Sequence, residues 1–304
     1  MIALAAAPLL IAVVLHVWSE PLSNRLRPSV VVRAFSWIAL AVALSTGLGL
    51  SVLAVLVCVQ IEPLPSIGQW SVRTLRSGSG VPWAVGFVAL LVVVWWLIAA
   101  CVQAARSART LWAAARLGSE FTPTSGDLVI VEDSALFAYT VAALEGPIVV
   151  STAMLAALPP DERRVLLAHE RSHLRHRHYL YLHLSRLAAA ANPLLVRTAG
   201  VVARGIEQWA DEDAAAAVED RALAARALAR AGLAGAGHPS RPHGLSVADG
   251  GVTQRVQLLL APPRPIRRVQ TAAMIGAAAI GVIAAVVVML WLRDLVEVAE
   301  LAYF

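Results

Sequence analysis

Five of the eight histidines fall between positions 169 and 183, and the first two stand in His169-Glu170-Arg171-Ser172-His173. That spelling is HExxH. Residues four apart in an α-helix share a face, so two imidazoles can reach one metal ion. Glu170 lies about 100° further round the helix, beside the water such an ion activates, and can take its proton. In a chain of this composition the pentapeptide arises by chance on the order of once in a hundred sequences. Its setting strengthens it: Pro159-Pro160-Asp161-Glu162 is a good helix start, with proline in the first turn and acids at the positive end of the dipole.

A catalytic zinc site takes three protein ligands and leaves a fourth position open. Two residues compete for the third place. His176 shares the helix face but lies seven residues beyond His169, a rise of about 10.5 Å. With metal bonds of about 2.0–2.2 Å, a straight helix cannot bring all three rings to one ion. Glu207 is favoured. It opens Glu207-Gln208-Trp209-Ala210-Asp211, which puts Asp211 on the same face, ready to accept the second ring N–H of a ligating histidine. By itself such a pair more often marks a solvated helix face. His176, His178 and His183, interleaved with Arg171, Arg175, Arg177 and Arg186, read as a cationic face near an anionic leaflet. His16 reads as an imidazole reaching the headgroups.

The elements that must position these residues follow from composition. The chain has 304 residues, 59% hydrophobic and 15% charged, with formal charge +5 carried by arginine and no lysine. Soluble domains carry about 25% charged residues, so a purely soluble enzyme and a disordered chain are both excluded. Cys58 and Cys101 lie in apolar runs and imply no disulfide framework. Four uncharged runs, Met1–Ser19, Ala34–Ile61, Ser77–Ala105 and Val269–Leu292, each reach the roughly 20 residues a spanning helix needs. They predict spans over about 2–19, 36–60, 82–104 and 270–292. No arginine precedes Arg25, so the first run lacks the basic start of a secretory signal and is read as retained.

Arg25, Arg27 and Arg33 in the first loop, Arg106, Arg109 and Arg116 after the third run, and Arg264, Arg267 and Arg268 before the fourth outweigh Arg73, Arg76 and Arg293. The positive-inside rule then places residues 106–268 in the cytoplasm of a multi-pass plasma-membrane protein, with both termini and a short tail outside. Residues 1–105 hold three spans, 106–268 the only segment large enough for a folded polar domain, and 269–304 the fourth span. Within the polar segment β-like runs at Asp127–Glu132, Leu136–Val141 and Pro147–Ser151 precede helical sequence, and Gly235–Gly251 reads as a loop. Arg186 and Arg197 interrupt the apolar stretch Tyr179–Val202, so it is not counted as a fifth span; a helix lying against the membrane is the other reading.

The run from Ser134 to Asp213 resembles the BlaR/MecR-type membrane zinc metallopeptidases, relatives of the gluzincins. The pieces come in order: SALFAYT, GPIVVST, LPPDERRVLLAHERSH, ANPLLVRTAG and IEQWADEDAA. Asn192-Pro193 between the two metal-binding helices and the Glu-xxx-Asp after it are marks of that family. The resemblance implies an α-helical membrane protein with four transmembrane helices and a cytoplasmic α+β gluzincin-like peptidase domain. It implies one zinc ion, with His169, His173 and Glu207 as ligands, Glu170 as general base and Asp211 supporting a ligand. It further implies that the strand with Ile148, Val149 and Val150 pairs with an extended substrate. Two departures stand out. Only about ten residues follow Arg293, too few for the extracellular penicillin-binding domain of the antibiotic sensors, so direct β-lactam sensing is not expected. His178 stands where the family often has an acidic residue.

The reading is therefore a zinc endopeptidase in the lipid bilayer, acting on a transcriptional repressor or on itself, with a homo-oligomer left open. An HtpX-type quality-control protease is the enzyme alternative, though such proteins usually place two spans before the motif and two after. A docking protein with a dead site is the non-enzymatic one. The arginines cluster by topology, so no direct nucleic-acid contact is expected.

Overall fold

The computed structural model describes residues 2–61, 71–73, 82–120, 126–141, 146–235 and 251–264, with isolated positions between 272 and 298. The fourth expected span and most of the Gly235–Gly251 loop lie outside the described residues. The chain opens with helices α1 (Ile2–Ser23), α2 (Pro28–Cys58) and α3 (Trp83–Glu120). Among the described residues two helices are long and apolar enough to cross a bilayer, Pro28–Cys58 and Trp83–Arg116. The 38 residues of α3 extend about 57 Å, nearly twice the ~30 Å of hydrocarbon. The helix thus continues without a break past the third apolar run, and its continuation carries Arg106, Arg109 and Arg116.

Three short strands follow, β1 (Leu128–Val131), β2 (Ala138–Thr140) and β3 (Ile148–Ser151), in the order β1-β3-β2. β1 runs parallel to β3 and β2 antiparallel to it. This corrects the expected substrate strand. Ile148, Val149 and Val150 form the central strand, paired on both sides and 0% exposed, so they have no edge to offer a peptide. The reason is their composition: a continuous apolar run suits a strand buried on both faces. Ile148 and Val150 pack with Met154 and Leu158 on one face, and Val149 with Val129, Val141 and Ala114 on the other. Ser151 ends the strand and caps α4 (Thr152–Ala157), its hydroxyl accepting from Met154 N at 3.1 Å.

The helical part comprises α5 (Pro160–Arg175), α6 (His178–Ala191), a 3-10 turn (Pro193–Leu195), α7 (Val196–Val218), α8 (Arg221–Gly235) and α9 (Val252–Leu260). Between α5 and α6 the chain reverses through Arg177, which takes the left-handed conformation at φ 51°. Between α6 and α7 Asn192 is fully buried; its side-chain oxygen accepts from Leu194 N at 3.2 Å and its amide donates to Thr46 Oγ1 of α2 at 3.5 Å. His16 Nδ1–H donates to Leu194 O at 2.9 Å, so that histidine ties α1 to this turn instead of reaching headgroups. Leu182, Ala188, Leu195, Val201, Val202 and Trp209 share one core with Val31, Val32 and Phe35. Tyr179–Val202 is therefore a helical hairpin folded against α1 and α2, neither a single span nor a helix lying alone on a surface.

Gly205 lets α7 approach α2 closely. A Cβ there would lie 3.1 Å from Val32 Cγ2 and 3.5 Å from Val31 Cγ1. Gly205→Val should destabilise the fold by about 1–3 kcal/mol through overpacking, read as a lower unfolding midpoint in detergent. Gly200→Val, where the nearest atom is the end of Arg204, should cost less.

Candidate metal centre

Helix α5 presents His169 and His173 to Glu207 on α7. His169 Nε2 and His173 Nε2 are 3.2 Å apart, Glu207 Oε2 is 3.7 Å from the first, and Glu207 Oε1 is 3.9 Å from the second. Tetrahedral ligands at about 2.0–2.2 Å from an ion stand roughly 3.3–3.6 Å from one another; with one ligand atom taken from each residue, the three lie within 4.8 Å of one another, so side-chain adjustment alone would close them around one ion. Among the described residues this trio is the group with that geometry; His176 is not in it.

The other ring nitrogens are engaged. His169 Nδ1–H donates to Asp211 Oδ1 at 3.1 Å, which leaves Nε2 with its lone pair. His173 Nδ1 lies 3.0 Å from His178 Nδ1. A carboxylate is a usual outer partner fixing ring orientation in metal sites; on His173 an imidazole stands in that place. The donor set, two imidazoles and a carboxylate, suits zinc.

A residue that sequence reasoning passed over completes the arrangement. Arg255 of α9 is 6% exposed. Its Nε and one Nη donate to the two oxygens of Asp211, both at 2.7 Å, while its other Nη lies 3.0 Å from Glu207 Oε2. The planar fork matches a carboxylate bidentately and so fixes both acids of the Glu-xxx-Asp pair. A signal existed: Arg255 is the only charged residue in Val252–Leu260.

Electrostatics separates the two histidines. Burial opposes a proton on His169, but its bond to Asp211 and the charges of Asp211 and Glu207 prevail and raise its pKa above 6.5. His173 goes the other way, pushed well below 6.5 by burial and then by the neighbouring His169 and His178. Burial would raise Asp211, but bonds from Arg255 and His169 outweigh it and keep the carboxylate charged. Glu207 is raised by burial, opposed by Arg255 and His169. Of the two rings, His169 is therefore the one that takes a proton first as pH falls. A metal ion must expel it, so zinc affinity should fall as pH drops through the raised His169 pKa, approaching about tenfold per pH unit, and level off above it. Competition with a chelator of known pH dependence between about pH 5 and pH 8 checks this.

Glu170 is 8% exposed, and Thr140 on β2 holds it: the Thr140 hydroxyl lies 2.8 Å from Glu170 Oε2 and 3.0 Å from Glu170 O. The three remaining histidines of the cluster do not form a face toward lipid. His176 Nε2 lies 2.9 Å from Asp213 Oδ2, which also accepts from Ser172 Oγ at 2.7 Å. His178 is fully buried and tilted against Trp209, over which Arg33 lies 4.6 Å from the ring centre. Burial, then the charges of His176, His169 and Arg33, hold His178 down to about 3. His183 Nδ1 is 3.0 Å from Ser107 Oγ of α3.

Residues 102–202 match the model of peptidase family M48, about a third of the chain, and that stretch takes in the HExxH and ends before Glu207. The match supports a metallopeptidase domain there. No curated protein matches the chain, and no solved structure does.

Proposed function

We propose that the chain is a membrane-bound zinc endopeptidase with His169, His173 and Glu207 as ligands and Glu170 as general base. The observation that carries the reading is the convergence of three donor atoms whose side chains are fixed from behind by Asp211, His178 and Arg255. A zinc ion held there would supply Lewis acidity toward a scissile carbonyl and bring a water's pKa near 7. The protein's own residues do the rest. Thr140 occupies Glu170 Oε2, so Oε1 is the oxygen that takes the water's proton and later delivers it to the leaving amine nitrogen.

An extended substrate finds its strand on β2. Ser151 N–H donates to Phe137 O and Val141 N–H to Pro147 O, each at 3.0 Å. In an antiparallel pair the intervening residues alternate, so the backbone groups of Ala138 and Thr140 face away from β3. A peptide bound there by β-augmentation runs beside the residue that holds Glu170.

Regulatory proteolysis on the cytoplasmic side, of a repressor or of the enzyme itself, is the finer reading. It is supported by the ordered motifs shared with the BlaR/MecR-type peptidases and by the arginine clusters flanking residues 106–268. The test is cleavage by the purified protein and its Glu170→Gln variant in detergent, with cut sites mapped by mass spectrometry on the enzyme itself, on a denatured soluble protein and on an unfolded membrane protein. Zinc-dependent cuts confined to a few sites support regulation. Indiscriminate loss of the unfolded membrane protein favours quality control. No cleavage by wild type with any of them would leave the docking reading.

A further inference from the structure

We propose that His178 is a positioning residue that holds the ligand His173 by accepting its ring N–H, as a neutral imidazole protonated at Nε2. This rests on the metal-centre reading above. A histidine that ligates through Nε2 must carry its proton at Nδ1. The atom facing His173 Nδ1 is His178 Nδ1, 3.0 Å away, and two N–H groups cannot share that contact. One ring must accept. With His173 ligating, the acceptor is His178 Nδ1, and the His178 proton is driven to Nε2.

The rest of the His178 ring is held by packing. His178 Nε2 is buried and has no hydrogen-bond partner among the described residues. The ring is instead walled by Trp209 at 4.8 Å and His176 at 5.7 Å between centres. The α5–α6 reversal through left-handed Arg177 brings position 178 back to His173, and ring packing holds it there. The ring planes of His173 and His178 stand 86° apart with centres 4.9 Å apart, and their two Nδ1 atoms meet at 3.0 Å. The two ligand histidines are consequently held by unlike partners. His169 has a charged carboxylate tied to Arg255, and His173 has a neutral ring that no carboxylate reaches in the described residues.

In a histidine, Nδ1 is bonded to Cγ, as Oδ1 is in asparagine. His178→Asn therefore puts a neutral acceptor in nearly the same place, whereas His178→Leu keeps the bulk and removes it. Loss of such a partner typically weakens metal binding about 10–100-fold. The experiment measures zinc affinity of the full chain in detergent by chelator competition for wild type, His178→Asn and His178→Leu. Long-range nitrogen-15 NMR of histidine-labelled, zinc-loaded wild type is recorded alongside. The expected result is weaker binding, about 10–100-fold, in the leucine variant, recovery to within a few-fold in the asparagine variant, and a His178 ring protonated at Nε2 only. Leucine binding as tightly as wild type, asparagine no better than leucine, or a His178 proton at Nδ1 in the zinc-loaded wild type would each overturn the proposal while leaving the metal centre intact. A wild type that binds no zinc would overturn the centre itself. The NMR assignment needs no variant, so a leucine variant that fails to fold does not decide the question.

Discussion

Arg255→Met should lower the stability of the polar domain by about 3–5 kcal/mol, because removing one partner of a buried ion pair leaves a charge without compensation. Two carboxylates are involved. Asp211 would lose both of its guanidinium bonds and Glu207 its single one, and Asp211 is 5% exposed, too deep for water to replace them. For a domain of this size the loss corresponds to a fall in unfolding midpoint of roughly 6–20 °C. Arg255→Lys should recover little of it, since one ammonium cannot reproduce a fork across two acids. Arg255→Met combined with Asp211→Leu should be less destabilised than the single variant, because the stranded charge is gone. Calorimetry or a thermal-shift series in one detergent reads all four proteins. A single Arg255→Met within about 1 kcal/mol of wild type would mean that the clamp holds nothing.

The second large effect is on rate. Glu170→Gln should reduce kcat/KM by about 10²–10⁴-fold, the usual contribution of a positioned general base, equivalent to about 2.7–5.5 kcal/mol of transition-state stabilisation. The substitution is nearly isosteric. A glutamine oxygen can still accept from the Thr140 hydroxyl that lies 2.8 Å from Glu170 Oε2, so the strand, the helix and the ligands should stay in place and zinc should be retained. Retained zinc with lost turnover separates a base from a ligand. Retained turnover would move the proton transfer to another residue.

The helical core of the site was legible in the sequence because its signals are local. Four-residue spacing put His169 with His173 and Glu207 with Asp211 on shared faces, and the Pro160 start fixes the first of those helices where it was expected. What was not legible depends on long-range contacts. Arg255 lies 44 residues beyond Asp211, and nothing in Val252–Leu260 says which acids its single charge meets. The strand assignment failed for a related reason. A short continuous apolar run marks Ile148–Ser151 as a strand, but only pairing on both sides reveals that it is central, and among the described residues the free edge passes to β2. The histidine-arginine interleave from 171 to 186 suggested a charged face; left-handed Arg177 breaks the helix there and turns His178 inward. Tyr179–Val202 misled in the same way. Arg186 and Arg197 spoil it as a span, and only the Asn192 bond to Thr46 and the core shared with α2 show that it folds as a hairpin beside an apolar helix.

Metal content tests most directly whether His169, His173 and Glu207 hold one metal ion. Wild type and Glu207→Ala, purified in detergent and equilibrated in chelator-buffered zinc, would be assayed for zinc per chain by elemental analysis. Close to one equivalent is expected in wild type and a large loss in Glu207→Ala, because two imidazoles alone do not make a three-ligand site. Zinc absent from wild type, or undiminished in Glu207→Ala, would contradict it.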